Sequence, residues 1–279
     1  MSKWNIVIDV ERCTYCNNCF LTVKDEYCDN EFPGYSLPQP WHGHRWIDIK
    51  KRERGSGSLI DVAYLPTTCN QCDNAPCVAK GGGAVVKRPD GIVLIDPTLA
   101  KGKKEIVDTC PYGHIWWNPE YEVPQKWSWD AHLLDNGWKN PRPVTACGSY
   151  AFKAFKLTDE KMAEKVREEK LEVLKPQLNT KPRLYYKNLY RFSREHLAGS
   201  VAYHLSDGRE ECAEGAEVKL LDQDSLVSSQ TTDIFGDFKF DDLPANSGPY
   251  NLEINFRDKT LTEVIKLGLS ENIGVRFID

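Results

Sequence analysis

Hydrophobic and polar positions change character three times along the chain. Residues 4–10 (Trp-Asn-Ile-Val-Ile-Asp-Val) alternate and are rich in β-branched side chains, which predicts a strand running into a cysteine loop. Residues 20–26 predict a short helix. Ala84–Lys87 and Gly91–Asp96 predict a hairpin turning at Pro89-Asp90, and residues 99–108 a short helix entering Cys110. Ile115–Trp117 and Ala151–Leu157 predict two more strands. Two stretches between them read as irregular. Residues 29–66 are a long insertion holding Pro33-Gly34, an aromatic-basic patch (Trp41, His42, His44, Arg45, Trp46) and the charged run Lys50 to Arg54; residues 118–146 are rich in Trp and Pro. Small strands and helices around cysteine loops predict an α+β region over residues 1–157.

Residues 158–173 carry charge throughout and predict one helix, and residues 174–195, with Pro176, Pro182 and Tyr185-Tyr186, an extended connector; 158–197 together form a linking region. From residue 198 to 279 the pattern is all β. Val201–Leu205, Glu217–Leu221, Ser225–Thr231, Asp237–Phe240, Tyr250–Phe256, Leu261–Leu267 and Gly274–Ile278 are short strands separated by turn residues such as Ser206-Asp207-Gly208. They predict a small seven-stranded sandwich, of transthyretin-like (prealbumin-like) kind. It has no cluster of His, Ser, Cys and acidic residues that suggests catalysis, so a structural or subunit-contact role is expected.

Composition narrows the function classes. A length of 279 residues suits two or three small domains, and a net charge of −5 leaves no general footprint for nucleic acid. No apolar run approaches the ~20 residues of a membrane-spanning helix, and the first residues are not a signal peptide. A cytoplasmic location without a membrane segment is the expectation. Ten cysteines without a secretion signal favour metal over disulfides.

Eight of those cysteines divide into two triplets and two singletons. Cys13, Cys16 and Cys19 form C-x2-C-x2-C; Cys69, Cys72 and Cys77 form C-x2-C-x4-C; Cys110, followed by Pro111, and Cys147 stand alone. A [4Fe–4S] cube takes four thiolates, the fourth often from a distant Cys-Pro. Zinc favours pairs of pairs, a poorer match to triplets with singletons. Two cubes are therefore expected, with Cys28 and Cys212 left over as free thiols.

The positions where cysteine is missing carry information too. A two-cluster ferredoxin run has a fourth Cys after its triplet. Here that position is Val23 in the first motif and Gly81 in the second. Counting back from Cys110 gives Ile106, Lys103 and Ala100; ahead of Cys147 lie Pro143, Asp130 and Trp127. In a pseudo-twofold pair of halves, Val23 belongs with Trp127, Asp130 and Pro143, and Gly81 with Ala100, Lys103 and Ile106. Both halves of two sites have vanished together. That leaves Cys13, Cys16, Cys19 with Cys147 as cluster 1, and Cys69, Cys72, Cys77 with Cys110 as cluster 2.

The motifs CTYCNNC, CNQCDNAPCVAKGGGAV, DGIVLIDPTLAKGKKEIVDTCPYG and TACGSYAF resemble the iron–sulfur (small, or beta) subunits of the DMSO reductase family of molybdenum and tungsten enzymes. Within it they are similar to the small subunits of pyrogallol–phloroglucinol transhydroxylase and of related anaerobic phenol- and catechol-hydroxylating or dehydroxylating enzymes. The GHRW stretch, the KPRLYYKNLYRF connector and the C-terminal β-region fit as well. The resemblance implies two ferredoxin-like halves and a non-catalytic electron-transfer chain. It also implies a large partner subunit holding molybdenum on two molybdopterin guanine dinucleotides, and a redox donor protein. Transhydroxylase-type subunits can keep a third cube, which Val23, Trp127, Asp130 and Pro143 remove here. A stand-alone ferredoxin and a zinc-binding interaction module are the alternatives; the connector and β-region speak against the first, the triplets against the second.

Other features have plainer readings. His42 and His44 read as polar contacts in an interface loop, and Lys101, Lys103 and Lys104 as a solvated helix face. Gly81-Gly82-Gly83 lacks the G-K-[ST] of a phosphate loop and reads as tight backbone packing. Trp116, Trp117, Trp127, Trp129 and Trp138 are expected to fill the volume of a lost cube.

Overall fold

A computed structural model describes residues 1–57 and 59–279. The chain forms two compact units, residues 1–50 with 64–189, and residues 51–63 with 190–279. Strand residues far outnumber helical ones among the described residues, and no described helix is long and apolar enough to cross a membrane.

The first unit is organised on β1 (Lys3–Asp9), whose middle residues are buried on both faces. That suits a central strand, and β1 is one: β8 (Phe152–Leu157) pairs with it antiparallel and β9 (Leu184–Lys187) parallel. The expected extended connector over 174–195 thus contributes a sheet strand, because Leu184 and Tyr186 alternate inward. On one face Val7 packs on Met162 and Leu171. Met162 belongs to α5 (Asp159–Glu168), capped by Thr158 Oγ1, which accepts from Lys161 N at 3.4 Å. This helix is shorter than the expected 158–173; the chain leaves it through Lys170 at φ 50°.

Around this sheet sit small elements that present the cysteines. They are α1 (Asn18–Tyr27), α2 (Pro76–Lys80), the hairpin β4 (Val85–Lys87) with β5 (Val93–Ile95), the hairpin β6 (Trp116–Asn118) with β7 (Val123–Gln125), α3 (Ala131–Asp135) and α4 (Arg142–Ala146). The segment expected as a helix over 99–108 is a 3-10 helix over Lys104–Thr109, since Gly102 at φ 77° interrupts it upstream.

The insertion 29–66 departs most from expectation. Its second half is two ten-residue strands, β2 (Ile47–Ser56) and β3 (Leu59–Thr68), paired as a ribbon; residue 58 lies outside the described residues. The charged run looked like a loop because its partners are remote in sequence. Arg54, fully buried, pairs with Asp61 and Asp241, and Arg52 with Glu195 at 2.5 Å.

The second unit is a β-sandwich-like pair of sheets. One orders β13 (Ser225–Thr231), β12 (Glu217–Asp222), β15 (Ser247–Phe256) and β16 (Lys259–Leu267). The other joins β10 (Glu195–His204) to β11 (Glu210–Cys212), β14 (Asp237–Leu243) and, in parallel, β17 (Glu271–Phe277). Short β11 is an addition to the expected strands. Inward residues fall at every second position: Val218 and Leu220, Phe238 and Phe240, Leu252 and Ile254, Ile265 and Leu267.

Candidate metal centres

The first cysteine group is built on a tight loop and two helix ends. After β1 the chain curls through Tyr15 at φ 59° and Asn17 at φ 61°, placing Cys13 and Cys16 on the loop and Cys19 in the first turn of α1. Cys147 stands at the C-terminal cap of α4, which packs against α1. Asn18 Nδ2 donates to Ala146 O at 3.4 Å beside it. Burial raises the Cys13 thiol, the Tyr15 backbone N–H opposes this, and Cys147 and Cys16 add to the rise. Cys19 is pushed up to about 12 by burial and then by Cys13, Cys147 and Cys16. The packing of α4 on α1 thus brings Cys147, far away in sequence, to the helix that carries Cys19. Cys16 is exposed; Cys19 and Cys147 are buried.

The second group lies deeper. Cys69 follows β3, Gln71 at φ 46° turns the chain to Cys72, and Cys77 sits behind Pro76 in the first turn of α2. Cys110 caps the 3-10 helix ahead of Pro111. These four thiols line one pocket with Ala75, Pro76, Val93 and Ile115. Burial, then the neighbouring Cys69, pushes Cys72 up to about 12 and Cys77 to about 11. Burial also raises Cys110, while the N–H groups of Tyr112, Gly113 and His114 favour its thiolate; the His114 N–H lies 3.4 Å from Cys110 Sγ.

Both groups fit a [4Fe–4S] cube. All eight cysteines are free of disulfides. Crowded, buried thiols resist ionisation unless a cation centre accepts them, and backbone N–H donors aimed at sulfur are how a protein steadies a cluster. Among the described residues no three His, Cys, Asp or Glu side chains are gathered closely enough to hold a single metal ion.

The positions where the ferredoxin pattern lacks cysteine are occupied in two different ways. On α1, Val23 is buried, and one turn on the buried Tyr27 sends its OH to Asp130 Oδ1 at 3.0 Å. Asp130 Oδ1 also accepts from Trp127 Nε1 at 2.7 Å, and Oδ2 from Arg142 N at 2.8 Å, just ahead of the buried Pro143. A hydrogen-bonded carboxylate hub thus joins α1, α4 and the Trp127–Asp130 segment. Burial raises the Asp130 carboxyl, and Trp127, Arg142 and Tyr27 act against that rise. Trp127 and Trp129 are both buried, whereas Trp138 is exposed and Trp116 and Trp117 are half-buried.

The other vacated site is aliphatic. Ala100 and Ile106 join Ala84, Val85, Val93, Ile95 and Ile115 in one cluster that continues to Ala75 and Cys72 of the second cysteine group. A Cβ on Gly81 would lie 2.6 Å from Val85 Cγ2 and 2.7 Å from Cys77 O, so close packing explains the first glycine of the run. Lys103 Nζ lies 3.8 Å from where a Gly82 Cβ would stand.

The remaining candidates do not assemble. Cys28 is buried with its Sγ 3.9 Å from Pro40 O, and Cys212 is exposed on β11. His44 is buried with Nε2 2.9 Å from Trp117 O, while His42 is exposed. Sequence reasoning missed Tyr27, Gln71 and Lys126. The one visible signal was a lysine between Val123-Pro124-Gln125 and Trp127.

Comparison with known proteins agrees with this chemistry. The 4Fe-4S dicluster domain family matches residues 60–156. The pyrogallol hydroxytransferase small subunit of Pelobacter acidigallici is 50% identical over 100% of this chain and 99% of its own length. A dimethyl sulfoxide reductase iron-sulfur subunit of Halobacterium salinarum is 30% identical over 67% of this chain and 80% of its own. A tetrathionate reductase subunit of Salmonella typhimurium is 28% identical over 67% and 73%.

Proposed function

The chain belongs to the iron–sulfur electron-transfer subunits of DMSO reductase-family molybdoenzymes, and from that premise we propose that it carries two [4Fe–4S] clusters for a large molybdopterin subunit acting on phenolic or catecholic aromatics. Cluster 1 is held by Cys13, Cys16, Cys19 and Cys147, and cluster 2 by Cys69, Cys72, Cys77 and Cys110, in two ferredoxin-like halves within residues 1–157. A linking region and the β-sandwich follow; the sandwich, expected from residue 198, begins with β10 at Glu195.

The observation that carries this reading is the pairing of filled and unfilled sites. What supports it is that α4, capped by Cys147, packs on the helix that carries Cys19, that Cys110 lines one pocket with Cys69, Cys72 and Cys77, and that the Asp130 hub and aliphatic packing occupy the positions where the further cysteines are missing. A cube held at each site would supply one-electron transfer. The chain's own work is to hold thiolates at fixed positions, to exclude water with Ala75, Val93 and Ile115, and to aim N–H groups at Cys110. No substrate chemistry is assigned to this chain; the aromatic substrate and the bis-molybdopterin guanine dinucleotide molybdenum centre belong to the partner.

Metal analysis of the anaerobically purified complex tests the count. About eight iron and eight acid-labile sulfide per copy of this chain are expected after subtracting the partner's own content. Cys147→Ser or Cys77→Ser should each remove or perturb one cube only, and Cys28→Ser and Cys212→Ser neither. Twelve iron per chain, or zinc in place of iron, overturns the proposal.

A further inference from the structure

Lys126 lies just beyond β7 and is buried, with 5% of its surface exposed. A lysine is almost never fully buried unless paired. Its hydrogen bonds among the described residues go to neutral oxygens: Nζ donates to Val93 O at 2.6 Å and to Gln71 Oε1 at 3.4 Å. Both acceptors belong to the wall of the second cysteine group. Gln71 is the buried turn residue between Cys69 and Cys72, its Oε1 also accepting from Val93 N at 2.7 Å; Val93 lines the pocket itself.

The neighbouring Lys87 shows the contrast. It too reaches this loop, donating to Gln71 O and Cys72 O, but Asp73 neutralises it at 2.8 Å. Lys126 has no such carboxylate among the described residues. A buried cation without an acidic partner needs a negative charge nearby. A cube with four thiolates supplies one: it is dianionic when oxidised and trianionic after taking up one electron.

We propose that Lys126 is the charge-compensating residue of cluster 2, making its one-electron reduction easier than it would be in a neutral pocket. The inference rests on the reading that Cys69, Cys72, Cys77 and Cys110 hold a cube. Lys126 transfers no proton in this role. Its fixed charge stabilises the reduced cluster more than the oxidised one.

The test is a redox titration with dithionite as reductant, followed by electron paramagnetic resonance on the intact complex. A unit charge several ångströms from the added electron, at an effective dielectric near 20, changes the reduced-to-oxidised ratio by about thirtyfold. In Lys126→Met the ratio for one cluster at fixed potential should fall about thirtyfold, roughly 90 mV at 59 mV per tenfold. The other cluster should not move, and the displaced wave should be the one that Cys110→Ser also displaces. Lys126→Arg, which keeps the charge, should restore the wild-type value.

A wild-type chain without iron removes the underlying reading. Full iron in Lys126→Met with both waves unmoved within about twofold overturns the inference alone. If neither Lys126→Met nor Lys126→Gln holds the second cube while Lys126→Arg does, charge is what the site requires and the inference stands. Loss of that cube in all three variants would mean that Lys126 only fills space, and overturns it.

Discussion

Replacing Asp130 by alanine is the sharpest test of how a lost cluster site is closed. The Asp130 carboxylate is fully buried and accepts from Trp127 Nε1, Tyr27 OH and Arg142 N at 2.7, 3.0 and 2.8 Å. Truncation leaves Trp127 Nε1 and Arg142 N without an acceptor, each costing about 1–3 kcal/mol, whereas Tyr27 OH keeps Ser128 Oγ at 3.2 Å as a partner. Removing a carboxylate that burial already disfavours returns part of that cost. Asp130 also stands at φ 53°, where a Cβ-bearing residue without a polar tip loses about 1 kcal/mol more. The sum is a destabilisation of about 3–4 kcal/mol for Asp130→Ala. Glycine removes the backbone penalty, so Asp130→Gly should be milder by about 1 kcal/mol. Asparagine keeps one acceptor oxygen and tolerates the left-handed backbone, so Asp130→Asn should cost only about 1–2 kcal/mol. Anaerobic urea unfolding, followed by circular dichroism and by visible cluster absorbance, would measure the series. An alanine variant within about 1 kcal/mol of wild type, or an asparagine variant worse than alanine, would refute the hub as the element closing this site.

Further predictions concern both units. Asp61, 12% exposed, is held at about 2: burial would raise it, but hydrogen bonds from Arg191 and Arg54 and the nearby Lys239 outweigh burial. Its folded value lies below its ordinary one, so its contribution is present above pH 4 and lost as pH falls toward 2. Asp61→Asn should cost about 2 kcal/mol, unchanged between pH 8 and pH 5, in urea unfolding of the β-unit; a difference that shrank across that range would contradict the linkage. Gly81→Ala would place a Cβ against Cys77 O and Val85, so a loss of about 2 kcal/mol and lower retention of one cube are expected by denaturation and iron analysis. Gly83, at φ 82° with open space around its Cβ position, should cost only about 1 kcal/mol when changed to alanine and keep full iron.

Much of the fold could be read because its signals are local. The alternation of Trp4-Asn5-Ile6-Val7-Ile8 marked β1, and paired inward residues such as Val218 and Leu220 marked the sandwich strands. Lys50 to Arg54 misled for the opposite reason. A run of exposed-looking charge became a strand because Asp61, Glu195 and Asp241 neutralise it, and none of those is a near neighbour in the charged run. Leu184–Lys187 was hidden likewise, since four residues among prolines become a strand only when β1 offers an edge to pair with.

Spacing within each cysteine triplet is a property of the sequence by itself, because a few residues of chain can turn through only a few geometries. Sequence reasoning also isolated Cys110 and Cys147 as the remote singletons and noted which partners were missing. The tertiary structure alone decided that Cys147 lies at the end of α4 against α1, and that Cys110 closes a pocket with Val93 and Ile115. It alone decided that one vacant site holds a hydrogen-bonded carboxylate, the other an aliphatic cluster. Those outcomes depend on which distant surfaces exclude water together. Lys126 makes the point most directly: as a letter it is an ordinary lysine, and only folding strips it of solvent and sets it against Val93, which lines the cysteine pocket, and Gln71.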